Sequence, residues 1–247
     1  MIQKNYKMAG RVISVDSLHQ YVHDYCADYL YTGAETPDIY VRIEQKDIDF
    51  EREQAVKTDE AEGFEAYDYG DDYLESLAVY RSIAEQMLDY NTFLFHGSVI
   101  AVDNKAYIFT AKSGTGKSTH TRLWRELLGE KAVMVNDDKP LIRITENGAV
   151  ACGTPYNGKH CLGSNIEVPI QAVCILTRSP ENFVVPMSPA EAFPTLYTQI
   201  YRPDHKEGLS KTLELMDGFL IKTKIFKGGF NMDISAAELA YKVMSEG

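Results

Sequence analysis

The run Tyr107-Ile108-Phe109-Thr110-Ala111-Lys112-Ser113-Gly114-Thr115-Gly116-Lys117-Ser118-Thr119 passes from an apolar, strand-forming segment through small residues into Gly-Lys-Ser at the start of a helical pattern. Glycines at 114 and 116 let the backbone curl so that successive N–H groups point at one anion. The helix that follows adds the positive end of its dipole at the same place. In this reading Ser113, Gly114, Thr115, Gly116, Lys117, Ser118 and Thr119 wrap the phosphates of a nucleotide. Lys117 neutralises the β- and γ-phosphates, and the Ser118 hydroxyl ligates Mg²⁺. The first glycine of the pattern G-x-x-x-x-G-K-[ST] is Ala111 here. That change costs little if φ stays negative at the position.

A nucleotide-bound metal needs an organising acid, and Val133-Met134-Val135-Asn136-Asp137-Asp138 supplies a short apolar strand ending in paired carboxylates. Carboxylates at the end of a strand beside a phosphate loop hold Mg²⁺ directly or through water. Two adjacent acids also allow a division of labour: one binds metal, while the other, raised in pKa by its like-charged neighbour, takes a proton from an attacking hydroxyl.

Composition narrows the alternatives. The 247 residues are 45% hydrophobic and 25% charged, the balance of a chain that buries a full core. Of the net charge of −11, almost all lies in residues 44–75, where thirteen acids face only Lys46, Arg52 and Lys57. The remainder is close to neutral, so no region carries the basic excess that nucleic-acid binding requires. The acidic window reads either as a solvated loop or as a docking surface for a basic partner. No apolar run is long enough to span a bilayer and the start lacks the apolar core of a secretory signal, so neither a nucleic acid nor a membrane is expected as partner and the expected location is cytoplasmic. Cys26, Cys152, Cys161 and Cys174 form no C-x-x-C pair and read as reduced thiols.

Around this centre the pattern predicts a strand over 9–15 and a helix carrying Leu18, Tyr21, Val22, Tyr25 and Tyr29, with Asp16 or Ser17 as cap. A second strand is expected at 39–43, then mostly loop through the acidic window, whose Gly63, Gly70 and scarcity of aliphatic residues give little periodicity. An amphipathic helix follows from Asp72 to near Asn91. Strands are expected at 92–102 and 106–110, joined by Asp103-Asn104-Lys105 as a hairpin link. After the helix from Lys117 to Leu128, closed by Gly129, come strands at 132–135, 141–144, 150–153 and 172–177 and helices at 190–197 and 235–244. The organisation expected is a small N-terminal α+β lobe over 1–90 and a nucleotide-binding catalytic domain over 91–247.

Other residues carry weaker signals. Lys159, in the glycine-rich segment Gly153-Thr154-Pro155-Tyr156-Asn157-Gly158-Lys159-His160, is either a cation for transition-state charge or a surface lysine. Arg178 and Arg202 are lesser candidates of the same kind. His19 and His23 fall four apart but have no third ligand near, and His120 and His205 show no pattern. Ser98 and Cys161 have no visible base partner, which argues against nucleophilic hydrolysis.

Phe95-His96-Gly97-Ser98, the loop from Ala111 to Ser118 and Asn136-Asp137-Asp138, taken in that order, resemble the HPr kinase/phosphorylase family and its structural relative, ATP-dependent phosphoenolpyruvate carboxykinase. The resemblance covers roughly residues 96–176. It implies an α/β fold, a P-loop nucleotide-binding domain with a mixed sheet, and a serine-kinase type of phosphotransfer with ATP and Mg²⁺. His96 is then a phosphate or metal contact, Asp138 a metal ligand and Asp137 the general base, although the two acids are not told apart by sequence. Kinship also implies a homo-oligomer. Where those kinases have Ser-Glu after the loop lysine, this chain has Ser118-Thr119, and their E-I-R-G-x-G stretch is absent. The reverse phosphorolysis and HPr as substrate are therefore not implied. The acceptor expected is a hydroxyl of a protein, a peptide or a small molecule. The rival readings are a non-catalytic nucleotide-binding regulator and a carboxykinase-like enzyme of a small metabolite.

Overall fold

A computed structural model describes residues 1–63, 65–158 and 160–246 of the chain. The chain divides into two compact units, Met1–Gln86 and Met87–Gly247. Among the described residues no helix is long and apolar enough to cross a membrane.

In the first unit, β1 (Ile2–Met8) and β2 (Arg11–Ser17) form an antiparallel hairpin turned by Ala9 and Gly10, both at positive φ, the mirror-image turn whose twist matches paired strands. After α1 (Gln20–Tyr25), β3 (Ile39–Arg42) joins β2 in parallel, so β2 is central and carries the buried Val12, Ile13 and Val15. β1 was not anticipated: Gln3, Lys4, Asn5 and Lys7 dilute its apolar signal. The helix expected to run past Tyr25 stops there, and Ala27–Tyr29 tightens into a 3₁₀ turn.

The acidic window also departs from expectation. It is mostly helix: α2 (Gln45–Glu62) and the start of α3 (Asp71–Met87). Glutamate, glutamine, lysine, arginine and alanine are good helix formers even where they give little apolar periodicity. Ends are specified locally, by a capping box between Glu44 and Asp47 and by Gly63 in the left-handed conformation at φ 80°. The two helices are tied by Arg81 Nε donating to Glu51 Oε1 at 2.6 Å and by Arg52 pairing with Asp68 and Asp71. Glu75, fully buried, accepts from the Leu18 and His19 amides at 2.5 and 2.8 Å and lies 2.8 Å from His19 Nδ1. It thereby fixes the chain where it enters α1, whose N-cap His19 makes no side-chain capping bond.

The second unit is mixed α/β. Its elements are β4 (Thr92–Leu94), β5 (Ser98–Val102), β6 (Lys105–Thr110), α4 (Lys117–Leu128), β7 (Val133–Asn136), β8 (Leu141–Thr145), β9 (Gly148–Cys152), β10 (Glu167–Arg178), β11 (Phe183–Pro186), α5 (Pro189–Tyr197), α6 (Lys206–Lys222), β12 (Lys224–Phe230) and α7 (Ile234–Glu246). The sheet runs β4-β8-β9-β10-β6-β5-β7, with β12 on β10 and β11 on β12. β10 organises it, antiparallel to β9 through Glu167, Val168 and Pro169, then parallel to both β6 and β12. β5 and β6 are joined by Asp103 and Asn104 at φ 49° and 57°, a two-residue hairpin turn.

Helices cover both faces of this sheet. Ala106 and Ile108 pack with Ala192, Leu196, Leu215 and Phe219 of α5 and α6, while Tyr107 and Phe109 pack with Leu123, Trp124, Ala236 and Ala240 of α4 and α7. Burial on both sides explains why β6 reads as a continuous apolar run. The strand expected over 92–102 is broken at residues 95–97, and that break carries His96. β11, α6 and β12 were not anticipated from the sequence. Glycines at 228 and 229 weaken the strand signal of β12.

Glu75→Ala leaves the Leu18 and His19 amides without their acceptor. The expected loss is about 1–3 kcal/mol of stability, read as a lowered urea midpoint; an unchanged midpoint would show that solvent replaces the carboxylate at no cost.

Candidate active site

The loop between β6 and α4 is held at both ends by buried elements. Gly114 sits at φ 74° and Gly116, which caps α4, at φ 120°, and a Cβ at either would meet nothing within 4 Å. Glycine is needed there for the backbone angle and not for space. Ala111 is not among the residues at positive φ and is buried in the apolar cluster with Tyr107 and Phe109. An alanine in place of the first motif glycine is therefore compatible with the turn. Lys112 O accepts from the Thr115 amide at 3.2 Å and from its hydroxyl at 2.7 Å, which curls the loop. The α4 N-terminus has no side-chain cap, so its first amides remain available to an anion.

Lys117 lies at the start of α4 and donates to Ala111 O at 3.2 Å. Burial lowers its ammonium pKa below the ordinary value, against the opposing attraction of Asp138 and Asp137. Those acids follow β7, which pairs with β5. Their position is set by Asn136, fully buried. Its Oδ1 accepts from the Asp138 and Lys139 amides, each at 2.8 Å, and its Nδ2 donates to Thr154 Oγ1 at 2.9 Å. Gly97 N donates to Asp138 O at 2.9 Å, and the Ser98 hydroxyl to Asp137 O at 3.2 Å.

The two carboxylates have different surroundings. Asp137 is buried, and burial pushes its pKa up against hydrogen bonds from the Ser98 and Ser118 hydroxyls. Its Oδ1 has no protein partner. Burial pushes Asp138 up as well, but the His96 hydrogen bond and the Lys139 and Lys117 cations more than offset it, so its pKa is lowered. His96 Nε2 is 3.4 Å from Asp138 Oδ1. The His96 main chain is fixed by its N–H donating to Gln199 O at 2.7 Å and its carbonyl accepting from Thr110 Oγ1 at 2.9 Å.

His96, Lys117, Ser118, Asp137 and Asp138 thus share one site, as their order in the chain suggests. Ser113 and Thr115 lie in the turn beside it, and Thr119 faces a separate cleft. Lys159 lies outside the described residues. Its neighbour Gly158, at φ 67°, comes so near Asp138 that a Cβ there would be 3.3 Å from the aspartate Cβ. Arg178 Nη2 donates to Gly114 O at 2.5 Å, whereas Arg202 bonds to Ile200 O and stacks on Tyr197, a local role. His19 belongs to Glu75, and His23 to Tyr6 OH at 2.6 Å and Ser17 Oγ at 2.8 Å, so they do not form a joint metal pair.

Three contributors escaped the sequence reading. Asn136 bonding to the amides two and three residues on is a local motif that Asn-Asp-Asp allows. Ser98, set aside as a nucleophile, instead bonds to Asp137. His120 had no pattern, yet it is buried one turn into α4, accepts from Trp124 Nε1 at 3.2 Å and is held neutral by burial, with a pKa lowered to about 3.

Among the described residues no group of three or more His, Cys, Asp or Glu side chains could hold a metal alone. The unpartnered Asp137 oxygen beside the Ser118 hydroxyl does fit a hard cation that takes its other ligands from phosphate and water. No protein-family model matches the chain, and no curated protein is significantly similar to it. Among solved structures, an HPr(Ser) kinase/phosphatase from Coxiella burnetii is similar at 10% identity and a TM-score of 0.36, over 62% of this chain and 91% of that one.

Asn136→Ala removes the acceptor of two amides and the partner of Thr154. The expected cost is about 2–4 kcal/mol, from the several buried groups left unpaired. Chemical denaturation measures it, and a loss below the smallest measurable shift would mean that Asn136 does not fix the acid pair.

Proposed function

We propose that the chain is an ATP-dependent phosphotransferase that moves the γ-phosphoryl group to a hydroxyl, a serine of a protein or peptide being the favoured acceptor and a small-molecule alcohol the alternative. One observation carries this reading: the uncapped start of α4, with Lys117 and Ser118, lies against Asp137, Asp138 and His96. An acid able to accept a proton beside the phosphate loop suits attack by a hydroxyl.

Backbone amides of residues 113–118 orient the phosphates, and Lys117 compensates their charge as it shifts towards the leaving group. Mg²⁺, when bound, neutralises phosphate oxygens and aligns the transferred group; Ser118 and one of the two acids would hold it. Asp137, raised by burial, accepts the proton of the attacking hydroxyl. Asp138, kept ionised by His96 and the neighbouring lysines, suits the cation. The Ser118–Asp137 hydrogen bond favours a second assignment, with Asp137 at the cation and the Asp138–His96 pair taking the proton.

Incubation with γ-labelled ATP and candidate acceptors tests the proposal. Label transfer requiring Mg²⁺ and lost in Lys117→Ala is the expected result; ATP binding with no transfer to any hydroxyl would instead fit a nucleotide-binding regulator, and release of phosphoenolpyruvate a carboxykinase-like enzyme. The base is identified by paired variants. Asp→Asn at the proton acceptor lowers transfer by about 10²–10⁴-fold with little change in Mg²⁺ requirement, whereas the same change at the cation ligand raises the Mg²⁺ concentration needed for half-maximal rate.

A further inference from the structure

Arg178 is the exposed last residue of β10, and the order of the sheet brings it to the phosphate loop. β10 runs parallel to β6 with Ile175 opposite Thr110, so β10 continues past the point where β6 gives way to the loop. Arg178 lines a cleft together with Gly114, Thr115, Gly116 and His120. There its Nη2 donates to Gly114 O at 2.5 Å and its Nε to Thr115 O at 3.5 Å. The flanking carbonyls are held from close by in the chain, Lys112 O by Thr115 and Gly116 O by the His120 amide at 2.9 Å. The two carbonyls between them are met from 64 and 63 residues away.

These are the carbonyls for which an outside partner matters. A peptide group is planar, and in a trans group the N–H and C=O point in opposite directions. Among the described residues no peptide bond is cis, so the Thr115 carbonyl and the Gly116 N–H, which share one group, face opposite ways. Holding that carbonyl on the Arg178 side turns the N–H to the other side. The groups on either side of Thr115 are bounded by Gly114 and Gly116, at φ 74° and 120°, and glycine resists rotation of its neighbouring peptide groups less than any other residue. A loop with that freedom can also turn carbonyl oxygens towards an anion, which they repel. A guanidinium suits the task of preventing this, because its planar fork bonds two acceptors at once.

We infer that Arg178 is a positioning residue of the phosphate loop: its guanidinium clamps the Gly114 and Thr115 carbonyls and so keeps the Gly116 amide turned to the anion before the anion arrives. The inference rests on the phosphate-loop reading above, and the experiment separates the two. Calorimetry of the full chain in Mg²⁺ measures the affinity for inorganic tripolyphosphate, which presents the anion alone. Arg178→Ala is expected to bind it about tenfold more weakly than wild type, at an unchanged urea midpoint. Low-millimolar guanidinium chloride should restore much of that loss, and the same concentration of sodium chloride should not. Arg178→Lys keeps the charge and loses the fork, so its affinity should fall with that of the alanine variant. Wild-type affinity in both variants would overturn the clamp. Wild-type affinity in the lysine variant alone would overturn it too, assigning Arg178 to charge attraction, as would a lowered midpoint with no recovery in guanidinium, which would assign it to general stability. A wild-type chain that does not bind tripolyphosphate would overturn the phosphate-loop reading itself.

Discussion

Everything at the site follows from how the chain leaves β6 and enters α4. β6 has side chains buried on both faces, so its end cannot shift without disturbing two packed layers. α4 is equally fixed, because Trp124 lies within 5.3 Å of the rings of Tyr107, Phe109 and Tyr241. Between these immobile ends the backbone must turn in a few residues, and Gly114 and Gly116 take the positive φ angles that the turn demands. The helix then begins without a side-chain cap, so its first amides have no side-chain acceptor. Preorganised donors of this kind need no rearrangement when an anion arrives.

The acids are placed by a second, smaller device. Asn136 holds the turn of Asp137 and Asp138 with its amide oxygen and joins that turn to Thr154 through its amide nitrogen. Neighbouring residues then experience opposite environments: Asp137 sits in a buried pocket with serine hydroxyls, Asp138 beside an imidazole and two lysines. Adjacent carboxylates with pKa values pushed apart are what a site needs to hold a cation and accept a proton at the same pH.

The first unit is built on a different balance. Its helices α2 and α3 carry much of the negative charge of the chain, yet some acids turn inward: Glu51 meets Arg81, and Glu75 accepts from the Leu18 and His19 amides that lead into α1. This explains why a reading based on apolar periodicity expected loop there. The residues favour helix through backbone propensity and terminal caps, and the stripe that packs is narrow, with Ile48 its buried apolar member in the first turn.

Local chemistry was legible from the residues alone. The curl at Gly114 and Gly116, the hairpin at Asp103-Asn104, the strand leading to Asp137-Asp138 and the helix from Lys117 to Leu128 all depend on neighbours within a few positions, and they appear where the pattern places them. Tertiary structure alone decided which distant groups meet. Ser98 reaches Asp137 across 39 residues, Arg178 reaches Gly114 across 64, and the cleft over His120 exists only because β10 and β12 end beside α4. Sequence encodes a turn through the angles its own residues allow, but a contact between strands depends on how the sheet is ordered, and that order is set by the packing of the whole core.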